Sequence, residues 1–214
     1  MDLGLKDVHV LVTGLWKQGA IVTAQFNSSI RALESLASDT RIQALKCDLT
    51  DEQAVMQFFD SAIGSLGPVQ ILVVNHAIYE PKDIFLWDMS LEQWRGTLDT
   101  NLTSSFLSAM MYGLTMSLKN EIVRIAPKAR VNTVAPGWVR TPMAEEPLKD
   151  PKIAYAALAS TPLKKVATPQ DIANQIIILA SNKVSGHVTG QVLMVEGGME
   201  GRVLNSPEDL GLVL

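Results

Sequence analysis

The chain has 214 residues, 47% of them hydrophobic and 19% charged. That length buries a sizeable core without staples, and a single cysteine excludes a disulfide framework and a cysteine-built zinc site. The net charge of −4 argues against a nucleic-acid binder, which carries a basic stripe.

The histidines, His9, His76 and His187, lie far apart with no ligand spacing, so no metal site is expected. Met1–Asp7 has no apolar core of a signal peptide, and no run approaches the roughly 18 residues of a membrane span. The expectation is a cytoplasmic protein with neither membrane nor nucleic-acid partners.

In chain order, Val8–Val12 reads as a buried strand, followed by Ala20–Ala24, a weaker Arg41–Cys47 and a nearly continuous apolar Gln70–Val74. Arg130–Val134 and Gln191–Val195 read as the fifth and sixth strands. Runs without alternation imply strands covered on both faces, as in a parallel sheet. Helices fall between them. Ser29 caps a short one through Ala37; Thr50-Asp51-Glu52-Gln53 is a capping box, and that helix stops at Gly67-Pro68. Ser90-Leu91-Glu92-Gln93 repeats the signal, and Thr168-Pro169-Gln170-Asp171 places a cap, a first-position proline and a first-turn acid in sequence. This alternation predicts one doubly wound α/β domain over residues 1–214, a mainly parallel sheet with helices on both faces. The segment from about 144 to 165, with Pro147, Pro151 and Pro162, breaks the rhythm and reads as a lid-like, mobile excursion over a site.

One connection is too short. Only Thr13–Gly19 separates the first two strands, whereas adjacent parallel strands need a crossover of about a dozen or more residues. A hairpin could use so short a link, but no strong two-residue turn is present.

Four segments follow successive strands, at the edge where open α/β sheets bind ligands. Thr13-Gly14 could open a phosphate-binding turn or simply end a strand. The carboxylate of Asp48, before Leu49, could accept from an adenine amino group, or could be a helix N-terminal acid helped by Thr50. Asn75-His76-Ala77 permits close backbone approach to a ribose, or is an ordinary turn. Pro136-Gly137-Trp138-Val139-Arg140-Thr141 can present backbone groups and a hydroxyl to a ligand. Asn101, in a helical segment, marks a kink, a water site or a polar network.

Taken together, Val12-Thr13-Gly14, Asp48-Leu49, Asn75-His76-Ala77-Ile78, Asn101, Arg130-Val131-Asn132 through Pro136-Gly137 and Thr141, Pro169-Gln170-Asp171-Ile172-Ala173 and Glu196-Gly197-Gly198 resemble the motifs of the short-chain dehydrogenase/reductase family. His76 and Ile78 depart from its Asn-Asn-Ala-Gly, and Glu196 stands where the acid is usually Asp. The resemblance implies a Rossmann-type fold and hydride transfer between a nicotinamide cofactor and a small-molecule carbonyl or alcohol, as in a carbonyl reductase. It implies a catalytic role for Asn101 and cofactor contacts at Thr13, Gly14, Asn27, Ser28, Asp48, Leu49, Asn75, Ala77, Pro136, Gly137, Val139 and Thr141, with Val139 meeting the carboxamide through its backbone. Met143 and Tyr155 would border the substrate. A homodimer or homotetramer follows by the same analogy.

Two family segments are absent. After Gly14 the text resumes at Leu15-Trp16-Lys17-Gln18-Gly19, without the remaining phosphate-loop glycines. After Leu107 a longer stretch is missing, one that carries a central strand, the catalytic serine and the Tyr-x-x-x-Lys pair. Tyr79, Tyr112 and Tyr155 are the only tyrosines, and none has lysine four residues on. The chain therefore reads either as a reductase whose written sequence omits residues, with covalent breaks at Gly14–Leu15 and near Leu107–Ser108, or as a truncated or non-catalytic nucleotide-binding relative. Gln25-Phe26-Asn27-Ser28-Ser29 carries no acid to hold a ribose 2′-hydroxyl, and Arg31 is nearby, which favours NADP(H), with NAD(H) the alternative.

Overall fold

The apolar runs of the first half become parallel strands. β1 (His9–Thr13), β2 (Ile21–Phe26), β3 (Ile42–Lys46) and β4 (Ile71–Val74) form one sheet in the order β3-β2-β1-β4, every pairing parallel. The computed structural model describes residues 2–13, 20–28, 33, 39–76, 90–98 and 112–212. They divide into two units, Met1–Met110 and Met111–Leu214.

In the first unit β1 and β2 are the inner strands, and Val10, Leu11 and Val12 of β1 are at most 1% exposed, as continuous apolar patterning requires of a strand covered on both faces. Its start is pinned by His9. The backbone N–H of His9 donates to Gln70 Oε1 at 3.0 Å and its carbonyl accepts from Gln70 N–H at 3.0 Å. The buried ring bridges further: Nδ1 lies 2.7 Å from the Gly67 carbonyl and Nε2 2.9 Å from Thr23 Oγ1. A carbonyl can only accept, so Nδ1 carries the proton and Nε2 accepts from the threonine hydroxyl.

α1 (Glu52–Leu66) covers one face, setting Phe58 and Ala62 against Leu11, Cys47 and Leu49. Each large apolar side chain buried there contributes about 1.5–3 kcal/mol. Its cap is Asp51, whose carboxylate accepts from the backbone N–H of Gln53 and Ala54. The expected box beginning at Thr50 is thus corrected by one residue: the Thr50 hydroxyl and N–H are held by Asp48, so the neighbouring carboxylate takes the capping position. Gly67 ends the helix at φ 82°, returning its N–H to the Ile63 carbonyl, a conformation glycine adopts freely. α2 (Leu91–Leu98) begins with the expected reciprocal bonds, Ser90 N–H to Gln93 Oε1 and Gln93 N–H to Ser90 Oγ.

In the second unit β5 (Thr133–Pro136) pairs parallel with β6 (Val192–Val195). β5 starts later than the expected Arg130–Val134. Residues 130–132 are held by side chains instead: Arg130 donates to Asn182 Oδ1 and to the carbonyls of Leu179, Ala180 and Val188, and Asn132 Nδ2 donates to Val188. The ladder therefore begins at Thr133 N–H to the Gln191 carbonyl. By reaching Leu179 and Ala180, Arg130 satisfies terminal carbonyls of α6 (Pro169–Ala180), the end where a cation also meets the helix dipole favourably. α3 (Tyr112–Ile125) meets β5 through Thr115 Oγ1 and Thr133 Oγ1 at 2.6 Å.

The segment expected to be a lid holds α4 (Pro142–Glu145), a 3₁₀ turn at Pro147–Lys149 and α5 (Pro151–Leu158), each with a proline in its first turn. Pro147 and Pro151 thus start helical turns, whereas Pro162 lies in a turn. The end of α5 is anchored: buried Asn205 donates to the carbonyls of Leu158 and Thr161, and the N–H of Leu204 and of Asn205 reach the Ala159 carbonyl. α6 opens with the full capping box at Thr168 and Asp171, and the short α7 (Asn182–Ser185) follows, capped by Ser181.

The strands expected in one sheet are thus described as two sheets, of four and two strands. The central strand that the resemblance places between β4 and β5 belongs to the stretch missing after Leu107. Both expected breaks, the Ser29 cap, Asn101, Gly14 and Ala77 lie outside the described residues.

His9→Ala leaves the Gly67 carbonyl and the Thr23 hydroxyl without their partner. The expected loss of unfolding free energy in urea is about 2–6 kcal/mol, from two orphaned polar groups at about 1–3 kcal/mol each; Thr23→Val should lose less. Asp171 is held below the ordinary carboxylate range, first by the Thr168 backbone N–H and then by its hydroxyl. Its stabilising effect is present above the unfolded-state value of about 3.9 and is lost as pH falls through the lower folded value. The stability difference between wild type and Asp171→Asn, followed by circular dichroism from pH 6 to pH 2, should therefore shrink below about pH 4.

Candidate functional site

Parallel pairing sends the C-terminal ends of all four strands of the first sheet to one edge. Thr13 ends β1 in register with Gln25 of β2 and Val74 of β4, and Phe26 of β2 pairs with Lys46 of β3. The segments leaving that edge bring together Thr13, the exposed Asn27 and Ser28, Asp48 and Leu49, and Asn75. Gly14 and Ala77, expected there too, lie outside the described residues, as does Asn101.

At this edge Asp48 Oδ1 accepts from Thr50 N–H at 3.0 Å and Thr50 Oγ1 at 2.7 Å. These bonds, the backbone one first, hold its carboxyl below the ordinary range, so it is an anion at neutral pH. The second oxygen, Oδ2, makes no hydrogen bond among the described residues. One oxygen of Asp48 thus organises the turn before Asp51, the residue that caps α1.

Leu49 and Cys47 are buried below it, and burial raises the Cys47 thiol above its ordinary value, which keeps it protonated and unreactive. Burial likewise lowers His76, so its imidazole is neutral at pH 7. Sequence reasoning passed over Gln25. Its Nε2 donates to the Cys47 carbonyl at 2.7 Å, strapping the end of β2 to the turn that carries Asp48. A polar residue in a run of buried strand positions was the available signal.

In the second unit Pro136 closes β5, and the chain continues extended. The Gly137 N–H reaches the Val195 carbonyl at 3.2 Å. A single parallel bridge joins Val139 to Ala167, made by Arg140 N–H to the Ala167 carbonyl at 2.8 Å and Ala167 N–H to the Trp138 carbonyl at 3.0 Å. The bridge uses the neighbours' groups and leaves the Val139 N–H outside it. Thr141 sits at the start of α4 without a side-chain capping bond, so its hydroxyl remains available.

Gly137 and Glu196 meet backbone to backbone: a Cβ at Gly137 would lie 2.7 Å from Glu196 Cβ and 2.9 Å from Glu196 Cα. After Glu196, Gly197 and Gly198 take φ 71° and 80°, so the turn needs glycine. The described residues contain no His/Cys/Asp/Glu group able to hold a metal ion, and no described helix is long and apolar enough to cross a membrane.

In the first unit a carboxylate oxygen without a hydrogen bond, apolar Leu49 and the exposed Asn27 and Ser28 are chemically suited to the adenosine half of a nicotinamide dinucleotide; in the second unit the open Val139 N–H and the Thr141 hydroxyl are suited to a carboxamide. The phosphate loop matches less well, since Leu15-Trp16-Lys17-Gln18 stands where further glycines would admit the pyrophosphate.

A family model described as enoyl-(acyl carrier protein) reductase matches residues 11–127 and 112–200. The chain is 30% identical to 3beta-hydroxysteroid dehydrogenase 1 of Eggerthella lenta over 253 residues, covering 91% of this chain and 94% of that protein. The alignment is longer than the chain itself, so the relative holds stretches this chain lacks. It is 29% identical to the 3-oxoacyl-[acyl-carrier-protein] reductase MabA of Mycobacterium tuberculosis over 191 residues, 72% of this chain and 75% of the relative. Among solved structures, a short-chain dehydrogenase/reductase titled glucose/ribitol dehydrogenase from Brucella melitensis superposes with a TM-score of 0.77 at 25% identity, covering 94% of this chain and all of that one. The structure of gox2181 gives 0.80 at 23% identity, covering 92% and 96%, a likeness of fold.

Gly137→Ala should force Glu196 backbone to shift, at an expected cost of about 1–3 kcal/mol by the usual scale of overpacking. Gly201→Ala, where a Cβ meets nothing within 4 Å, serves as the control and should change stability by less than about 0.5 kcal/mol. Chemical denaturation of both variants checks the difference.

Proposed function

The chain belongs to the short-chain dehydrogenase/reductase family of oxidoreductases, and on that premise we propose that it binds NADP(H) in preference to NAD(H) and serves hydride transfer between the nicotinamide and a small carbonyl or alcohol. The observation that carries this reading is the shared edge of the parallel strands. Thr13, Asn27, Ser28, Asp48, Leu49 and Asn75 gather there, and the segment after β2 holds no acid. A carboxylate after β2 would hold the ribose 2′-hydroxyl and repel a 2′-phosphate. Asn27 and Ser28 offer donors without that repulsion.

In this proposal Asp48 Oδ2 accepts from the adenine amino group and Leu49 packs against the ring. Gly137 gives the nicotinamide close backbone approach beside Pro136. The Val139 N–H and the Thr141 hydroxyl hold the carboxamide, and Asn75 with Ala77 flanks the ribose. The bound cofactor supplies or accepts the hydride. Asn101 holds a proton-relay water, residues 1–214 act as one domain with 144–165 as its lid, and the working form is a cytoplasmic homodimer or homotetramer. The named relatives, a hydroxysteroid dehydrogenase and a 3-oxoacyl reductase, support a carbonyl or alcohol substrate.

A second reading is favoured by a specific observation: no tyrosine here has lysine four residues on. A general acid contributes about 10²–10⁴-fold, and its loss leaves a protein that binds nucleotide and turns over little. The intact mass separates the two readings. A mass well above the 23.3 kDa of the written chain supports the catalytic reading; a mass equal to it supports the non-catalytic one.

NADPH should bind more tightly than NADH in parallel fluorescence titrations, and Asn27→Asp should reverse or narrow the preference. Tighter NADH binding by the unaltered protein would refute the cofactor assignment.

A further inference from the structure

A cavity of about 200 Å³ opens in the second unit, its wall mainly apolar with several polar side chains set into it. Trp138 lines it, whereas Val139, the neighbouring residue assigned to the nicotinamide, does not. Asp171, Asn174 and Gln175 reach it from one face of α6, at the spacing that places side chains side by side on a helix. Lys165 and Glu196 complete the polar wall.

These groups have unspent hydrogen-bonding capacity. Glu196 Oε2 is buried with no hydrogen-bond partner, and its carboxylate has no ion pair among the described residues. Its backbone lies close against Gly137, and the chain turns at Gly197 and Gly198. Asp171 spends Oδ2 on Thr168. Asn174 accepts from Gln170 through Oδ1, which leaves its amide N–H groups. Lys165 has no ion pair among the described residues. The wall therefore presents acceptors and donors together, beside an indole that is 37% exposed.

An ammonium ligand would serve only the acceptors and would meet the Lys165 charge. An anion would face two carboxylates. A hydroxyl both donates and accepts, and a ring of hydroxyls has a flat apolar face suited to an aromatic side chain. The volume exceeds the roughly 150 Å³ that holds a benzene ring. We propose that this cavity binds a neutral polyhydroxylated molecule of monosaccharide size, with Glu196 as its principal acceptor and Trp138 as its platform. The binding is independent of nicotinamide.

The test is a titration of the full, isotopically labelled chain with methyl α-D-glucopyranoside, without nicotinamide, followed by NMR. Saturable shifts are expected at the Trp138 indole and the amides of Glu196 and Gly197. Glu196→Gln should weaken the binding about tenfold, the scale of a hydrogen bond to a charged acceptor, and Trp138→Leu should weaken it too. Each variant is compared with wild type at equal melting temperature, and if one fails to fold the other carries the test. Absence of saturable shifts, equal affinity in the folded variants, or tighter binding of n-butylammonium chloride would each overturn the proposal. So would shifts confined to Ser28, Asp48 and Asn75, which would place the sugar at the strand-end edge instead. The cofactor titrations described above read that edge separately, so failure here leaves the oxidoreductase reading standing.

Discussion

β1 is bonded on both sides, and the first unit depends on that. Its left and right ladders run to β2 and β4, its middle residues are sealed from solvent, and α1 packs on Leu11. Because the neighbours run parallel to it, every following segment leaves from the same edge. A carboxylate, two short polar side chains and a strand-end asparagine are brought to that edge by strand direction. The candidate site is thus a by-product of strand direction, and His9, at the opposite end of β1, supports the strand that carries it.

The second unit solves a different problem. Two short strands give little surface, so side chains do the joining. Arg130 ties the approach to β5 to the end of α6 and to the segment after α7. Burial lowers its pKa, yet a guanidinium in this role stays charged, and its donors meet carbonyls that helix geometry leaves open. Asn205 does the same for α5. Both are polar residues whose partners lie some 40 to 60 positions away in the chain, which confines the Gly137–Thr141 segment between anchored neighbours.

Much of this was legible beforehand. Strand existence followed from uninterrupted apolar runs, and the boxes at Ser90 and Thr168 followed from local chemistry, since all the partners lie within three residues. The errors arose where partners are remote or equivalent. Asp51 and Thr50 are both good caps, and only the claim of Asp48 on Thr50 decides between them. β5 begins at Thr133 because Arg130 and Asn132 are occupied elsewhere, a fact with no local signature. The bond from Gln25 has no local signature either, because its acceptor, the Cys47 carbonyl, lies 22 residues away, beyond the end of β3. The prolines of 147–162 were read as interruptions, whereas two of them sit at helix starts. Of the candidate site, the pattern places residues at strand ends, while the unbonded oxygen of Asp48 and the open N–H of Val139 depend on bonds that only three dimensions reveal.

The pairing of β1 with β4 also bears on how the chain reaches its fold. β1 ends at Thr13 and β4 begins at Ile71, and parallel strands so far apart in sequence must meet the entropy of loop closure before their contacts reward it. The bonds from His9 to Gln70 and Gly67 lie at the far end of that separation, so the polar support of the sheet is expected to form late along the folding route.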